Sequence, residues 1–280
     1  MKKIAGFSVI LSVVFFAFSA GAADFEVSSF DLRRGDTAII YFKDENLSVK
    51  SAQFNGQQVS FFKYKNQYVA VFGIAAAKKP GTYPLKIVFA DGKTFEKDFV
   101  VKGGKAVRVA LDITKQVGLT PQGLVNKLQE KKKNLESVFD LKSEDIFFNQ
   151  PFGLPLKDNT KIGSRFGEIR VTGGNEIRHV GMDLKAPLKA AVAAINKGIV
   201  RKAYNDSVYG NTVIIDHGHG IFSTYLHLDS IKASEGKNVK KGEIIGFVGQ
   251  TGYASGPHLH LSVKINSVSV DPLRFVRAFK

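Results

Sequence analysis

The chain has 280 residues, no cysteine and a formal net charge of +15. Without cysteine it forms no disulfides and carries no lipid on a thiol, so packed cores must hold it together. Its length allows two domains. The broad positive charge favours an anionic partner, although solubility alone also explains such a charge.

Residues 1–22 are predicted to be an export signal. Met1-Lys2-Lys3 is positive, Ile4 to Phe18 is largely apolar, and Ala20-Gly21-Ala22 fits a cleavage site before Ala23. A membrane anchor is the alternative, but the apolar run is shorter than the roughly 20 residues that span a bilayer. We therefore expect an exported protein of the periplasm or cell envelope, with secretion as the second choice. Nucleic acid is not an expected partner.

Residues 23–105 are predicted to form a small β-sandwich-like domain. Asn55-Gly56 separates the strand candidates Val49–Phe54 and Gln58–Phe62, and Asp91-Gly92 separates Thr82–Ala90 and Thr94–Val101. No cluster of ionisable residues stands out there. We expect this domain to position or shield the rest of the chain.

Residues 106–150 are predicted to be a helical connector. Thr120 is a suitable N-cap, Pro121 suits the first helical position, and apolar residues recur at helical spacing up to Phe139. The polar tail to Gln150 is expected to complete the connection between domains.

Residues 151–280 return to a β pattern with glycine-rich turns, which predicts a mostly antiparallel sheet whose loops frame a groove. The strand candidates are Gly198–Ala203, Thr212–Asp216, Ile221–Leu226, Ile244–Val248 and Leu259–Ile265.

All six histidines lie in this last part, between His179 and His260. His179 and Asp183 are four residues apart, and we expect them on one bent strand, with a bend or twist near Gly181 and with Val180 turned to the core. His258 and His260 share a strand face, because they are two residues apart. A His/Asp/His set with one open position is the pattern of a catalytic zinc site.

These motifs resemble the signature of the lysostaphin/LytM-type zinc endopeptidases. The resemblance rests on His179-x-x-x-Asp183, on the Tyr-x-His-Leu run at 225–228 and on Gly256-Pro-His-Leu-His260, with matching framework residues between them. It covers roughly residues 151–275. The resemblance implies a mostly β peptidase domain with a groove across its sheet, and the peptide part of peptidoglycan as substrate.

The resemblance also implies the roles of single residues. His179, Asp183 and His260 would bind Zn²⁺, whereas His227 and His258 would be catalytic histidines that do not bind the metal. Ser262 departs from the family pattern, in which an acidic residue often follows the last histidine.

Two further points concern the remaining histidines and the alternative function. His217 and His219 are predicted to lie in a glycine-flanked hairpin turn without a catalytic role. A catalytically silent activator of cell-wall amidases is the alternative function, because relatives that have lost their zinc ligands act in that way.

Overall fold

The computed structural model describes residues 25–44, 46–110, 118–157 and 161–279, so the predicted export signal lies outside the described residues. The mainly β architecture is confirmed, with one longer helix, α1 (Pro121–Glu136), and a short one near the C-terminus, α2 (Pro272–Ala278). Within the described ranges, no helix is both long and apolar enough to cross a bilayer.

The N-terminal part is a sandwich of two sheets. Its strands are β1 (Phe25–Val27), β2 (Asp31–Arg33), β3 (Thr37–Phe42), β4 (Val49–Phe54), β5 (Gln57–Gln58), β6 (Ser60–Tyr64), β7 (Gln67–Gly73), β8 (Gly81–Phe89) and β9 (Thr94–Lys102). One sheet has the order β1-β3-β7-β6 and the other β2-β9-β8-β4-β5. Phe42, Phe54 and Phe99 are buried in the core that the two sheets share.

Both predicted turns join paired antiparallel strands: Asn55-Gly56 connects β4 to β5, and Asp91-Gly92 connects β8 to β9. However, β5 ends at Gln58, and the chain then crosses to the other sheet. The expected strand 58–62 is therefore wrong as one unit, because Phe62 and Tyr64 on β6 turn their side chains towards the C-terminal part and join its core. The turn at Lys65-Asn66, with both residues at positive φ, then connects β6 to β7.

The connector contains a strand as well as the predicted helix. Strand β10 (Arg108–Ala110) precedes α1, whose N-cap Thr120 accepts a hydrogen bond from the Gly123 amide at 3.1 Å. A 3₁₀ turn over Ser137–Asp140 follows the helix. The tail to Gln150 is not a simple polar linker, because Phe148 is buried in the main core.

The C-terminal part is built on a ten-stranded antiparallel sheet. Its strands and those of a small neighbouring sheet are β11 (Lys161–Ser164), β12 (Ile169–Thr172), β13 (Asn175–Arg178), β14 (Met182–Lys185), β15 (Ala191–Ala193), β16 (Gly198–Asp206), β17 (Gly210–Gly218), β18 (Ile221–Ile231), β19 (Asn238–Val239), β20 (Ile244–Val248), β21 (His258–Ile265) and β22 (Val268–Val270). The central order is β11-β14-β21-β18-β17-β16-β19, and β10, β12 and β13 form the small sheet.

Strand register positions the predicted site residues. Asp183 on β14 pairs with His260 on β21, which pairs in turn with Leu226 on β18. Leu259 and Leu261 point the other way and are fully buried, as the two-residue period of a strand requires. The even-numbered face of β21 is therefore available to line a groove.

Candidate active site

Three side-chain atoms converge at the end of β14. Nε2 of His179 lies 3.1 Å from Oδ1 of Asp183 and 3.0 Å from Nδ1 of His260. Nδ1 of His260 lies 2.8 Å from the same Asp183 oxygen. All three residues are buried and form a group that could hold a metal ion.

The backbone brings His179 and Asp183 together without the single strand that the spacing suggested. His179 follows β13 in a short loop, whereas Asp183 lies on β14. The expected change of direction near Gly181 is present, but Val180 is 42% exposed and does not enter the core. A Cβ on Gly181 would overlap the His260 imidazole and lie 2.6 Å from Oγ of Ser262, so only glycine fits this turn.

The hydrogen bonds of the two imidazoles leave lone pairs facing one another. Nδ1 of His179 donates to the Arg165 carbonyl at 2.9 Å, so its Nε2 carries a lone pair. The Ser262 hydroxyl points to the Val180 carbonyl and accepts from Nε2 of His260 at 2.8 Å, so Nδ1 of His260 carries one too.

Electrostatics also favour a cation at this point. Burial lowers the pKa of His260 to about 4, so this imidazole is neutral at pH 7. With the tautomers that these hydrogen bonds favour, two imidazole nitrogens and one carboxylate oxygen present lone pairs to one another at these distances, and this donor set fits a divalent metal such as zinc.

Arg170 is a site residue that the sequence analysis missed. Its guanidinium Nη2 donates to Oδ2 of Asp183, the oxygen that faces away from the two histidines. The pattern Ile169-Arg170-Val171-Thr172 indicates only an ordinary strand. Arg170 lies 13 positions before Asp183, and it reaches that carboxylate only because of the register of the β12–β13 hairpin.

His227 faces the same cluster from the other side. Its φ of 62° lies in the left-handed region, at the point where β18 stops pairing with β21 and begins pairing with β20. Its Nδ1 donates to the Thr251 carbonyl at 2.8 Å, which leaves Nε2 as an acceptor. Burial and the neighbouring His260 and His258 lower the pKa of His227 to about 3, so this imidazole is also neutral at pH 7.

His258 completes the cluster. Its Nδ1 donates to the Gly256 carbonyl at 2.8 Å, and its Nε2 lies 3.8 Å from Oδ1 of Asp183. The rings of His258 and His227 are 5.0 Å apart between centroids. Two imidazoles whose Nδ1 atoms are bound to backbone carbonyls therefore flank the three converging side chains.

Residues 177–272 match the model of peptidase family M23. This part of the chain is an M23 peptidase domain. The matched range contains all five predicted site residues.

Individual relatives agree with this assignment. The chain is 42% identical over 95 residues to the DD-carboxypeptidase/endopeptidase Mpg of Neisseria meningitidis serogroup B, which covers 34% of this chain and 22% of that protein. It is 34% identical over 122 residues to the peptidoglycan DD-endopeptidase ShyA of Vibrio cholerae serotype O1, which covers 43% of this chain and 28% of that protein. The chain thus spans less than a third of the length of these curated relatives.

One solved structure matches most of the chain. It is a Pseudomonas aeruginosa protein assigned to peptidase family M23, with 26% sequence identity and a TM-score of 0.67. The match covers 88% of this chain and 95% of that chain. The similarity therefore extends beyond the M23 domain into the N-terminal part.

A groove of about 530 Å³ lies beside the histidine cluster of the M23 domain. Its floor includes Thr224, Leu226, His260 and Ser262, whereas one wall is the apolar face of α1. The helix contributes Leu124, Val125, Leu128 and Leu135 to this wall. The connector thus covers the approach to the site.

The two remaining histidines of the M23 domain lie apart from the cluster. His219 is in the turn, as predicted, and its ring stacks on Phe62 at 5.0 Å. The turn prediction is wrong for His217, because β17 continues through Gly218. His217 is fully buried and hydrogen-bonds to the Lys197 carbonyl and the Ser223 hydroxyl, each at 2.8 Å.

Proposed function

We propose that the protein is a zinc-dependent endopeptidase that hydrolyses the peptide cross-links of bacterial peptidoglycan. The observation that carries this proposal is the convergence of His179, Asp183 and His260 with two further imidazoles beside them. A closed structural zinc site would use four protein ligands, usually including cysteine, and this chain has no cysteine. Three ligands leave a position open for chemistry.

The five residues of the cluster are proposed to have two roles, as metal ligands and as catalytic histidines. His179, Asp183 and His260 would hold the zinc, which when bound polarises a peptide carbonyl and makes water more acidic. His227 and His258 would then serve as general base and as stabiliser of the developing oxyanion, since each presents Nε2 towards the cluster. The carbonyls of Thr251 and Gly256 fix these tautomers.

Chemistry and similarity together support the proposed substrate. The relatives named as DD-endopeptidases support a bond between D-Ala and a diamino acid as the target. The formal charge of +15 suits an anionic polymer of the cell envelope. We propose that the protein acts in the periplasm or elsewhere in the cell envelope, on the basis of the export signal predicted at residues 1–22.

The alternative, a catalytically silent activator of amidases, is less well supported. A silent member has no need of a complete ligand set, or of two further imidazoles beside it. Here all five side chains are present, and four of the imidazole nitrogens are fixed by hydrogen bonds to a carbonyl or a hydroxyl.

Elemental analysis of the purified protein tests the metal assignment. We expect one zinc per chain in the unmodified protein and none in His260→Ala, with His219→Asn as the matched control that retains the metal. His219 lies outside the cluster, and asparagine tolerates its left-handed backbone. Equal zinc content in His260→Ala and the unmodified protein would remove the assignment.

A further inference from the structure

We propose that Arg170 is a positioning residue that presents a single oxygen of Asp183 to the metal. The proposal rests on the proposed function, because it concerns the ligand Asp183. It assigns a role to a residue outside the predicted set.

The two oxygens of Asp183 have different partners. Oδ1 lies 3.1 Å from Nε2 of His179 and 2.8 Å from Nδ1 of His260. Oδ2 accepts a hydrogen bond from the Arg170 guanidinium. With Oδ2 engaged, the carboxylate cannot rotate to present both oxygens to an ion.

Arg170 is held in place by strands on both sides. It pairs with Ile177 on β13 and, in parallel, with Val109 on β10 of the connector. The neighbouring Ile169 is buried and anchors the strand. The guanidinium is thus presented by a formed sheet, as a side chain that orients a metal ligand should be.

The contact is shielded from solvent. The side chain of Asp183 is 11% exposed and that of Arg170 is 24% exposed. A charge-assisted hydrogen bond in such surroundings is stronger and better directed than one at the surface. Without Arg170, Oδ2 would have no partner from β12, and the carboxylate would be free to swing both oxygens inward and fill the open coordination position.

The positive charge of Arg170 has an opposing effect, because it repels a bound cation. If this repulsion dominated, removal of the guanidinium would strengthen metal binding and leave the coordination number unchanged. If Arg170 instead orients Asp183, its removal raises the coordination number and slows turnover. A spectroscopic measurement therefore separates the two effects.

The test uses the full chain loaded with Co²⁺ alone, whose visible absorption weakens as coordination rises above four. Arg170→Gln removes the contact, Arg170→Lys keeps the charge, and Arg108→Gln removes a charge from the same small sheet. Arg108 is a suitable control because its exposed guanidinium forms an ion pair with the exposed carboxylate of Glu176, away from Asp183. Circular dichroism establishes that each variant is folded.

We expect Arg170→Gln to weaken the cobalt absorption and to lower kcat about 10- to 100-fold with little change in KM. Arg170→Lys should restore part of both, and Arg108→Gln should resemble the unmodified protein. An unchanged spectrum in folded Arg170→Gln would overturn the proposal, and so would a raised KM at unchanged kcat, which would make Arg170 a substrate-binding group. Failure of the unmodified protein to bind cobalt would instead contradict the proposed metal site itself, and this proposal with it.

Discussion

At the scale of single residues, each imidazole of the cluster has one ring nitrogen bound to a carbonyl or hydroxyl, and this hydrogen bond fixes which nitrogen faces the cluster. Carbonyls accept from Nδ1 in His179, His227 and His258, so these rings present Nε2. The Ser262 hydroxyl accepts from Nε2 of His260, which therefore presents Nδ1. The partners on the far side of each ring thus decide which nitrogen reaches the centre.

Alanine at His227 or His258 should separate catalysis from metal binding. We expect each variant to keep its zinc and to lose about 10²- to 10⁴-fold in the rate of cross-link hydrolysis, the range typical of a lost general base or oxyanion stabiliser. Zinc content and hydrolysis rate are measured on the same preparations, with His219→Asn as the control. If His227→Ala loses the metal, then His227 is a ligand and the set of three must be redrawn.

The buried His217 should make stability depend on pH. Burial lowers its pKa from 6.5 to about 4, and its neutral form satisfies both the Lys197 carbonyl and the Ser223 hydroxyl. The unfolded chain therefore binds more protons between these values. The stabilisation is complete above pH 6.5 and is lost as pH falls towards 4, by up to about 3 kcal/mol.

Denaturant unfolding of the metal-free protein at pH 7 and pH 4.5 measures this effect. His217→Asn should lose less free energy of unfolding between the two pH values than the unmodified protein does. Ser223→Ala is the control, because it removes one partner but leaves the titrating group. If His217→Asn and the unmodified protein lose the same free energy of unfolding between the two pH values, His217 does not cause the pH dependence.

At the scale of elements, we expect helix α1 to limit access to the site. Its apolar face forms one wall of the groove, and Leu124 on that face is only 2% exposed. The sequence predicted the helix, because a capping threonine, a proline and apolar spacing are local signals. Its docking over the groove was not predictable, because it depends on contacts with β13, more than 35 residues farther along the chain.

Loosening the helix should raise activity on bulky substrates. We expect Leu128→Glu to increase the hydrolysis of cross-linked sacculi, because a charge on the half-buried apolar face of the helix weakens its docking. Gln122→Glu is the matched control, since it adds the same charge at an exposed position. Rates are compared on sacculi and on a short soluble peptide. Equal rates for both variants on both substrates would argue against occlusion by α1.

At the scale of the whole molecule, the N-terminal sandwich and the M23 domain share one core. Phe62, Tyr64 and Val71 on β6 and β7 belong to the same apolar cluster as Phe148 and Phe279. The rings of Phe148 and Phe62 lie 6.0 Å apart, and those of Phe148 and Phe152 lie 4.7 Å apart. This shared core was not predictable from the sequence, because contacts between phenylalanines far apart in the chain depend on the tertiary fold and leave no local pattern.

A shared core predicts cooperative unfolding. Phe148→Ala should lower the free energy of unfolding by about 3–5 kcal/mol, as is usual for a buried phenylalanine. Leu154→Ala should have little effect, because that side chain is 49% exposed. Denaturant unfolding followed by circular dichroism gives both values. Two separate transitions in the unmodified protein would mean that the two parts unfold independently.

The predictable part of the site was the part carried by short motifs. The shared strand face of His258 and His260 follows from their local spacing, and so does the change of direction near Gly181, although His179 and Asp183 do not share the expected strand. The role of Arg170 does not follow from local spacing, because its contact with Asp183 depends on sheet register.

Mass spectrometry of the muropeptides released from purified sacculi tests the central claim most directly. We expect the unmodified protein to convert cross-linked dimers into monomers, and we expect His258→Ala to leave the dimers intact although it keeps its zinc. If only glycan fragments or free lactyl-linked peptides appear, or if His258→Ala releases the same monomers, the protein is not the cross-link endopeptidase proposed here.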